Sequence, residues 1–218
     1  MNPKVQIEKL KKDLEWLFYQ SMVLKQTFNA ALAVSRVFEK TDSLATYGDY
    51  FGLTQNIMIS DIQLQLTKLF DKNKQSHSIP KIIETANNLY TEKYFQSMTY
   101  FSAQSYQNLK SELEALAHRL NELEQPIKNL KKLRDKNLAH FDKSIDSVER
   151  LEEASKNSPV LLSEGAALID FSLSTISQIK EIFFSIHNDY SAKEYESELF
   201  EIAHAIEYYQ INQGTGRV

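Results

Sequence analysis

Cysteine is missing from this chain of 218 residues, and that removes disulfides, thiolate metal sites and cysteine nucleophiles together. A reducing compartment is therefore expected. Glycine occurs five times and proline four, too few for a chain built on tight turns, so long helices are expected instead. No stretch approaches the roughly 18 unbroken apolar residues that a membrane span needs. The N-terminal MNPKVQIEKLKKDLEWLF carries charge in every turn and lacks the apolar core and small-residue cleavage site of a secretory signal, so a cytoplasmic location is expected, with no membrane partner. Gly48, Gly52, Gly165, Gly214 and Gly216 fit neither a P-loop nor a dinucleotide fingerprint, and no Gly-x-Ser-x-Gly elbow exists. Nucleotide and serine hydrolase readings lapse on those grounds. A net charge of −4 provides no global field for a polyanion, so any such site has to be local.

What is present is helical periodicity. Ile7, Leu10, Leu14, Leu17, Phe18, Leu24, Phe28, Ala31, Leu32 and Phe38 recur mostly three or four apart, giving one long helix or two nearly continuous ones over 3–40. Trp16, Phe18 and Tyr19 are expected in the core and its rim. After a polar turn, a second helical run to Phe70 puts Phe51, Ile59, Ile62, Leu66 and Leu69 on its inner face. Ser78 and Pro80 mark the start of a shorter helix, IPKIIETANNLY.

Residues 90–106 hold Tyr90, Tyr94, Phe95, Tyr100, Phe101 and Tyr106 in a polar background. Such rings can stack unpaired bases, but with no interleaved arginine they read better as a plug at a bundle end or subunit contact. The strongest pattern follows: Leu109, Leu113, Leu116, Leu120, Leu123, Ile127, Leu130 and Leu133 form one apolar seam. Pro126 removes a hydrogen bond within it while the phase persists, which predicts one kinked helix. A further amphipathic helix places Leu168, Phe171, Leu173, Ile176, Ile179 and Phe183 for burial. Ser191 with Glu194 has the spacing of a capping box for a last helix to about Gln210. The expected fold is all-α: an antiparallel helical bundle forming a single domain over 1–210, with a flexible tail at 211–218.

Metal binding finds little support. Glu201 and His204 supply a single Glu-x-x-His pair where di-metal bundles use two plus further glutamates, and they read as solvated neighbours on a helix surface. His118 between Glu114 and Glu122 reads the same way, while His77 falls in a polar loop and His187 near a helix end. No metal and no cofactor is expected.

The remaining candidate is the end of the seam, IKNLKKLRDKNLAHFDK at 127–143. Lys128, Lys131, Lys132, Arg134, Lys136 and Lys143 outnumber Asp135 and Asp142 there, making a basic stretch in an acidic chain. It suits a phosphate site, or it complements a helix dipole; charge does not separate the two. Arg134 is a fork suited to a phosphoryl group, and His140 titrates near neutrality. On a straight helix they would stand about 240° apart and about 9 Å apart along the axis. They converge only if the helix ends between them or a second copy completes the site.

The segment Leu133-Arg134-Asp135-Lys136-Asn137-Leu138-Ala139-His140 resembles the Arg-x(4–6)-His signature of the HEPN superfamily. With Leu66-Thr67-Lys68-Leu69-Phe70-Asp71-Lys72 and Ile79-Pro80-Lys81-Ile82-Ile83 ahead of it, the chain resembles the abortive-infection (AbiU-type) branch. The resemblance implies a homodimer whose arginines and histidines line one cleft. It further implies metal-independent cleavage of RNA by 2′-OH attack to a 2′,3′-cyclic phosphate, in phage defence or as a toxin. Carried over, His140 is the acid/base, Arg134 the phosphate clamp, Asn137 and Asp135 are supporting polar groups, and Lys131, Lys132, Lys136 and Lys143 bind RNA phosphates. An antitoxin or defence-complex protein is a further implied partner. Members with a modifiable tyrosine carry His-x-Tyr, whereas His140-Phe141-Asp142 stands here, so tyrosine adenylylation is not expected at this position. The alternative left open is a catalytically silent module of the same fold that binds RNA or a protein.

Overall fold

A computed structural model describes residues 3–73, 75–97, 105–135, 161–188 and 190–214, and among these described residues there are eight α-helices and one 3-10 turn. No strand occurs among these residues, and the fold is all-α. The helices are α1 (Pro3–Lys40), α2 (Gly48–Leu69), α3 (Ile79–Leu89), α4 (Glu92–Gln96), α5 (Tyr106–Glu122), α6 (Glu124–Leu133), α7 (Leu162–Phe184) and α8 (Glu196–Gly214). None of the described helices is long and apolar enough to cross a membrane. The first is a single 38-residue helix rather than two. The last continues to Gly214, with Asn212 Nδ2 donating to the Tyr208 carbonyl at 2.8 Å in its final turns.

The chain divides into two compact units, residues 1–22 with 63–189 and residues 23–62 with 190–218. In the first, α3 turns Ile79, Ile82, Ile83 and Ala86 inward and packs against α5 and α7. Burying one such isoleucine side chain contributes about 1.5–3 kcal/mol. Helix α7 is buried on most of its faces, from Leu168 through Phe183, and so supplies much of this unit's core. Two of its hydroxyls turn back on its own backbone: Ser172 Oγ donates to the Leu168 carbonyl at 2.9 Å and Ser174 Oγ to that of Phe171 at 3.1 Å. Asn87 ties α3 to α5 by donating to the Leu113 carbonyl at 3.0 Å, while Lys110 donates to the Asn87 carbonyl at 2.7 Å.

Beyond α3, Tyr90 is 1% exposed and its ring meets those of Tyr94, Phe95, Tyr106 and Phe183. The described aromatics of 90–106 are thus packed, as the plug reading has it; Tyr100 and Phe101 lie outside the described residues.

The second unit gathers Val37, Leu44 and Ala203 with Phe38, Phe51, Leu199, Phe200 and Ile206 around them. Gln55 reaches from α2 to the Ala31 carbonyl at 2.9 Å, and Arg36 and Lys40 hold the Glu196 carboxylate at 3.1 and 2.6 Å.

Four expectations change. Trp16 and Tyr19 are 54% and 59% exposed, because their positions on α1 fall outside the stripe of Leu10, Leu14 and Leu17. Ile59 is 38% exposed, at the margin of the α2 face that buries Ile62, Leu66 and Leu69. Residues 191–195 are not helical and α8 starts at Glu196, so Ser191 and Glu194 do not form its capping box. The seam helix is not one kinked rod: α5 stops at Glu122, Leu123 alone interrupts it, and α6 begins at Glu124. That break places Pro126 in the first turn of α6, where its missing N–H costs no bond.

Candidate functional site

Helix α6 carries the candidate segment. Ile127, Leu130 and Leu133 bury its apolar side, completing the seam that Leu109, Leu113 and Leu116 begin on α5. Lys128 faces outward and pairs with Glu124 one turn earlier at 3.2 Å. Lys132 is exposed beside it and Lys131 is half-buried, so both lysines of the last turn stand where a helix C-terminus favours cations.

Arg134 follows Leu133 without leaving helical geometry, at φ −56° and ψ −52°, and its N–H donates to the Leu130 and Lys131 carbonyls. It lies four residues after Leu130 and seven after Ile127, which puts it on the margin of the buried seam rather than on the outer lysine face. Its side chain is 29% exposed. The arginine thus emerges from an apolar stripe, where lower local polarity strengthens any bond it makes.

Its partner is Asp135, whose Oδ1 accepts from Arg134 Nε at 2.8 Å and Nη2 at 2.6 Å. A guanidinium has five donors and this carboxylate takes two of them, so the pair holds the fork still without exhausting it. Asp135, expected as a supporting polar group, acts on the arginine directly.

The structure brings Lys131, Lys132, Arg134 and Asp135 together at one helix end. His140, Asn137, Lys136 and Lys143 lie outside the described residues.

The other histidines sit apart. His204 is exposed with Glu207 at 3.6 Å, and His187 has Glu181 at 3.9 Å. His118 borders a shallow pocket with Glu84 and Glu114. His77 contacts Asp13 at 3.0 Å in a groove that the sequence reading did not recognise. Among the described residues, no group of three or more histidine, aspartate or glutamate side chains could hold a metal ion.

The chain matches the family model of AbiU2, a HEPN family, over residues 6–199, an interval that takes in most of the first unit, part of the second and the whole of the 127–143 segment. No curated protein and no solved structure matches it. This match covers most of the chain and agrees with the all-α architecture, and the protein belongs to the HEPN AbiU2 family.

Proposed function

We propose that the protein is a homodimeric endoribonuclease of a phage-defence or toxin system, with its reaction at the end of α6. The observation that carries the reading is the half-buried Arg134 on the seam margin, in a chain that a HEPN family model matches from 6 to 199. In this reading His140 removes the proton of a ribose 2′-OH and the oxygen attacks the adjacent phosphorus. The O2′–P bond forms, the P–O5′ bond breaks and a proton passes to the departing 5′-oxygen, leaving a 2′,3′-cyclic phosphate. Arg134 stabilises the charge that builds on the phosphoryl oxygens, as a preorganised fork does best in a site of low polarity. Lys131 and Lys132, with Lys136 and Lys143, hold flanking phosphates, and Asn137 supports the scissile one. A second copy supplies the other wall of the cleft. No metal has a role in this scheme.

Cleavage of RNA by the purified protein in a chelator, ending in a cyclic phosphate and lost in His140→Ala and Arg134→Ala variants that remain folded dimers, is the expected result. Undiminished cleavage by both variants overturns the assignment. Lys131→Ala and Lys132→Ala should weaken RNA binding across sequences, each lowering the salt slope by about one.

One contact favours the second reading, a catalytically silent module that binds RNA or a protein: the pair of hydrogen bonds that Arg134 donates to Asp135 Oδ1. Asp135→Asn separates the two. If the carboxylate only restrains the clamp, the substitution raises cleavage several-fold; if the pair is a brace, cleavage stays absent and thermal stability falls.

A further inference from the structure

Helix α2 carries two apolar stripes, and only one of them is buried. Ile62, Leu66 and Leu69 turn inward, while Tyr50, Leu53 and Ile57, three and four residues apart, stand exposed in a line on the other side. A single exposed leucine is ordinary; three large apolar side chains in register over two turns are not. Their spacing is that of the seam of a helix pair, with Tyr50 at an a position, Leu53 at d and Ile57 at the next a. With its flanks the stripe runs from Asp49 to Asp61, about 18 Å of helix, room for a second helix lying along it.

The flanks say which kind of helix. Asp49 falls at the g position before the stripe and Asp61 at the e position after it, the places beside a seam whose charge selects a partner, and both are exposed. No lysine, arginine or histidine occurs from Asp42 to Thr67. Helix α8, gathered on the same core as Phe51, adds four glutamates and no lysine or arginine. Residues 23–62 with 190–218 hold nine acidic residues and five basic ones, whereas the rest of the chain holds equal numbers, so the net charge of −4 resides in this unit. Of its five cations, Arg36 and Lys40 are engaged by Glu196 and Lys193 by Glu198. The field over the stripe is therefore negative. A second copy presenting the same face would set one acidic field against another, at a cost in free energy. A basic helix meets the apolar stripe and its flanks together.

We propose that the Tyr50–Leu53–Ile57 face of α2 is a docking site for a basic amphipathic helix of a partner protein, with that helix's apolar residues on the stripe and its lysines or arginines beside Asp49 and Asp61. The assignment uses neither Arg134 nor His140 and stands whether or not RNA is cut.

The test uses the full-length protein and three labelled two-heptad peptides: one with leucine at a and d and lysine at e and g, one with glutamate in place of those lysines, and a scrambled version of the first. In anisotropy titrations the lysine peptide should bind saturably, one per chain, and the other two about tenfold more weakly. Leu53→Ser combined with Ile57→Ser should weaken the lysine peptide by about tenfold while the helical signal is kept, since both side chains are exposed. Asp49→Lys combined with Asp61→Lys should invert the order of the lysine and glutamate peptides, which a loss of packing alone would not do. The proposal is overturned if the lysine peptide fails to bind, if the serine pair binds it as the wild type does, or if the order of the peptides survives the two lysine substitutions. It is overturned equally if the serine pair abolishes a self-association seen in sedimentation equilibrium, the mark of a second copy on this face, or an uptake onto phosphatidylcholine vesicles, the mark of a lipid surface.

Discussion

The two units of this chain spend their apolar residues differently. In the unit of residues 1–22 and 63–189, large apolar side chains are buried along α3, α5, α6 and α7, and Tyr90 with its neighbouring rings closes the core. In the unit of residues 23–62 and 190–218, several of the buried apolar residues are small, Ala31, Ala33, Val34, Val37 and Ala203 among them. Tyr47, Tyr50, Leu53, Ile57, Tyr208, Tyr209 and Ile211 stand exposed there. Equal helical periodicity therefore does not mean equal burial. The first unit has the packing that fixes a side chain in place, and it carries Arg134; the second carries the exposed stripe of α2.

The sharpest way to strain this contrast is to cut one ring from each core. Phe183→Ala removes a ring that is 1% exposed and in contact with Tyr90 and Tyr94, and should cost about 3–5 kcal/mol in chemical denaturation. Phe51→Ala removes a half-buried ring from the second unit and should cost about 1–2 kcal/mol. Comparable losses would erase the distinction.

Electrostatics gives smaller differences of opposite sign. Lys180 is 7% exposed, with its Nζ on Asn188 at 3.2 Å and over the Phe18 ring. Burial lowers its pKa below 10.5, partly offset by Glu15. A lysine so shifted binds fewer protons folded than unfolded between its lowered value and 10.5, so its penalty is full at neutral pH and fades as pH rises through that window. Lys180→Met should thus be least harmful, or stabilising, near neutrality, and lose that advantage by pH 10.5 in a melting series. In the second unit, hydrogen bonds from Lys40 and then Arg36 hold the Glu196 carboxyl below 4.5. Its contribution is present above that value and lost as pH falls through the lowered one. Glu196→Gln should therefore differ from the wild type at neutral pH and converge with it in strong acid. A pH-independent difference would mean that packing, not charge, sets its effect.

The all-α class and most helix limits were legible because apolar spacing is a local signal. The seam of Leu109 to Leu133 and the buried set of α7 follow from it directly. Harder to read was which side of a two-sided helix is covered. On α2, Ile62, Leu66 and Leu69 turn in while Tyr50, Leu53 and Ile57, about 180° away, turn out, and both stripes have helical spacing. Pro126 within a seam that keeps phase points to a kink, yet ending α5 at Glu122 satisfies proline and seam together. The Arg134 end was visible because its residues are contiguous. The docking face of α2 was not, since Tyr50, Leu53 and Ile57 stand in the sequence on equal terms with the stripe that is buried. The one hint was the absence of any lysine, arginine or histidine from Asp42 to Thr67, which the composition of the whole chain hides.

The smallest expected effect tests the contrast most directly. Replacing Tyr50, Leu53 and Ile57 together with serine removes three large apolar side chains that are 67%, 62% and 61% exposed. Exposed positions contribute little to stability, so melting and denaturant midpoints should move by about 0.5 kcal/mol or less per site. Serine's weaker helix propensity than leucine's is part of that allowance. A loss of several kcal/mol would mean that this face of α2 is covered in solution, and the poorer burial of the second unit would then belong to the isolated chain rather than to the protein at work. Repeating the melt over a range of protein concentrations separates the two, because a face covered by a second copy makes the wild-type midpoint rise with concentration and the triple variant's stay level.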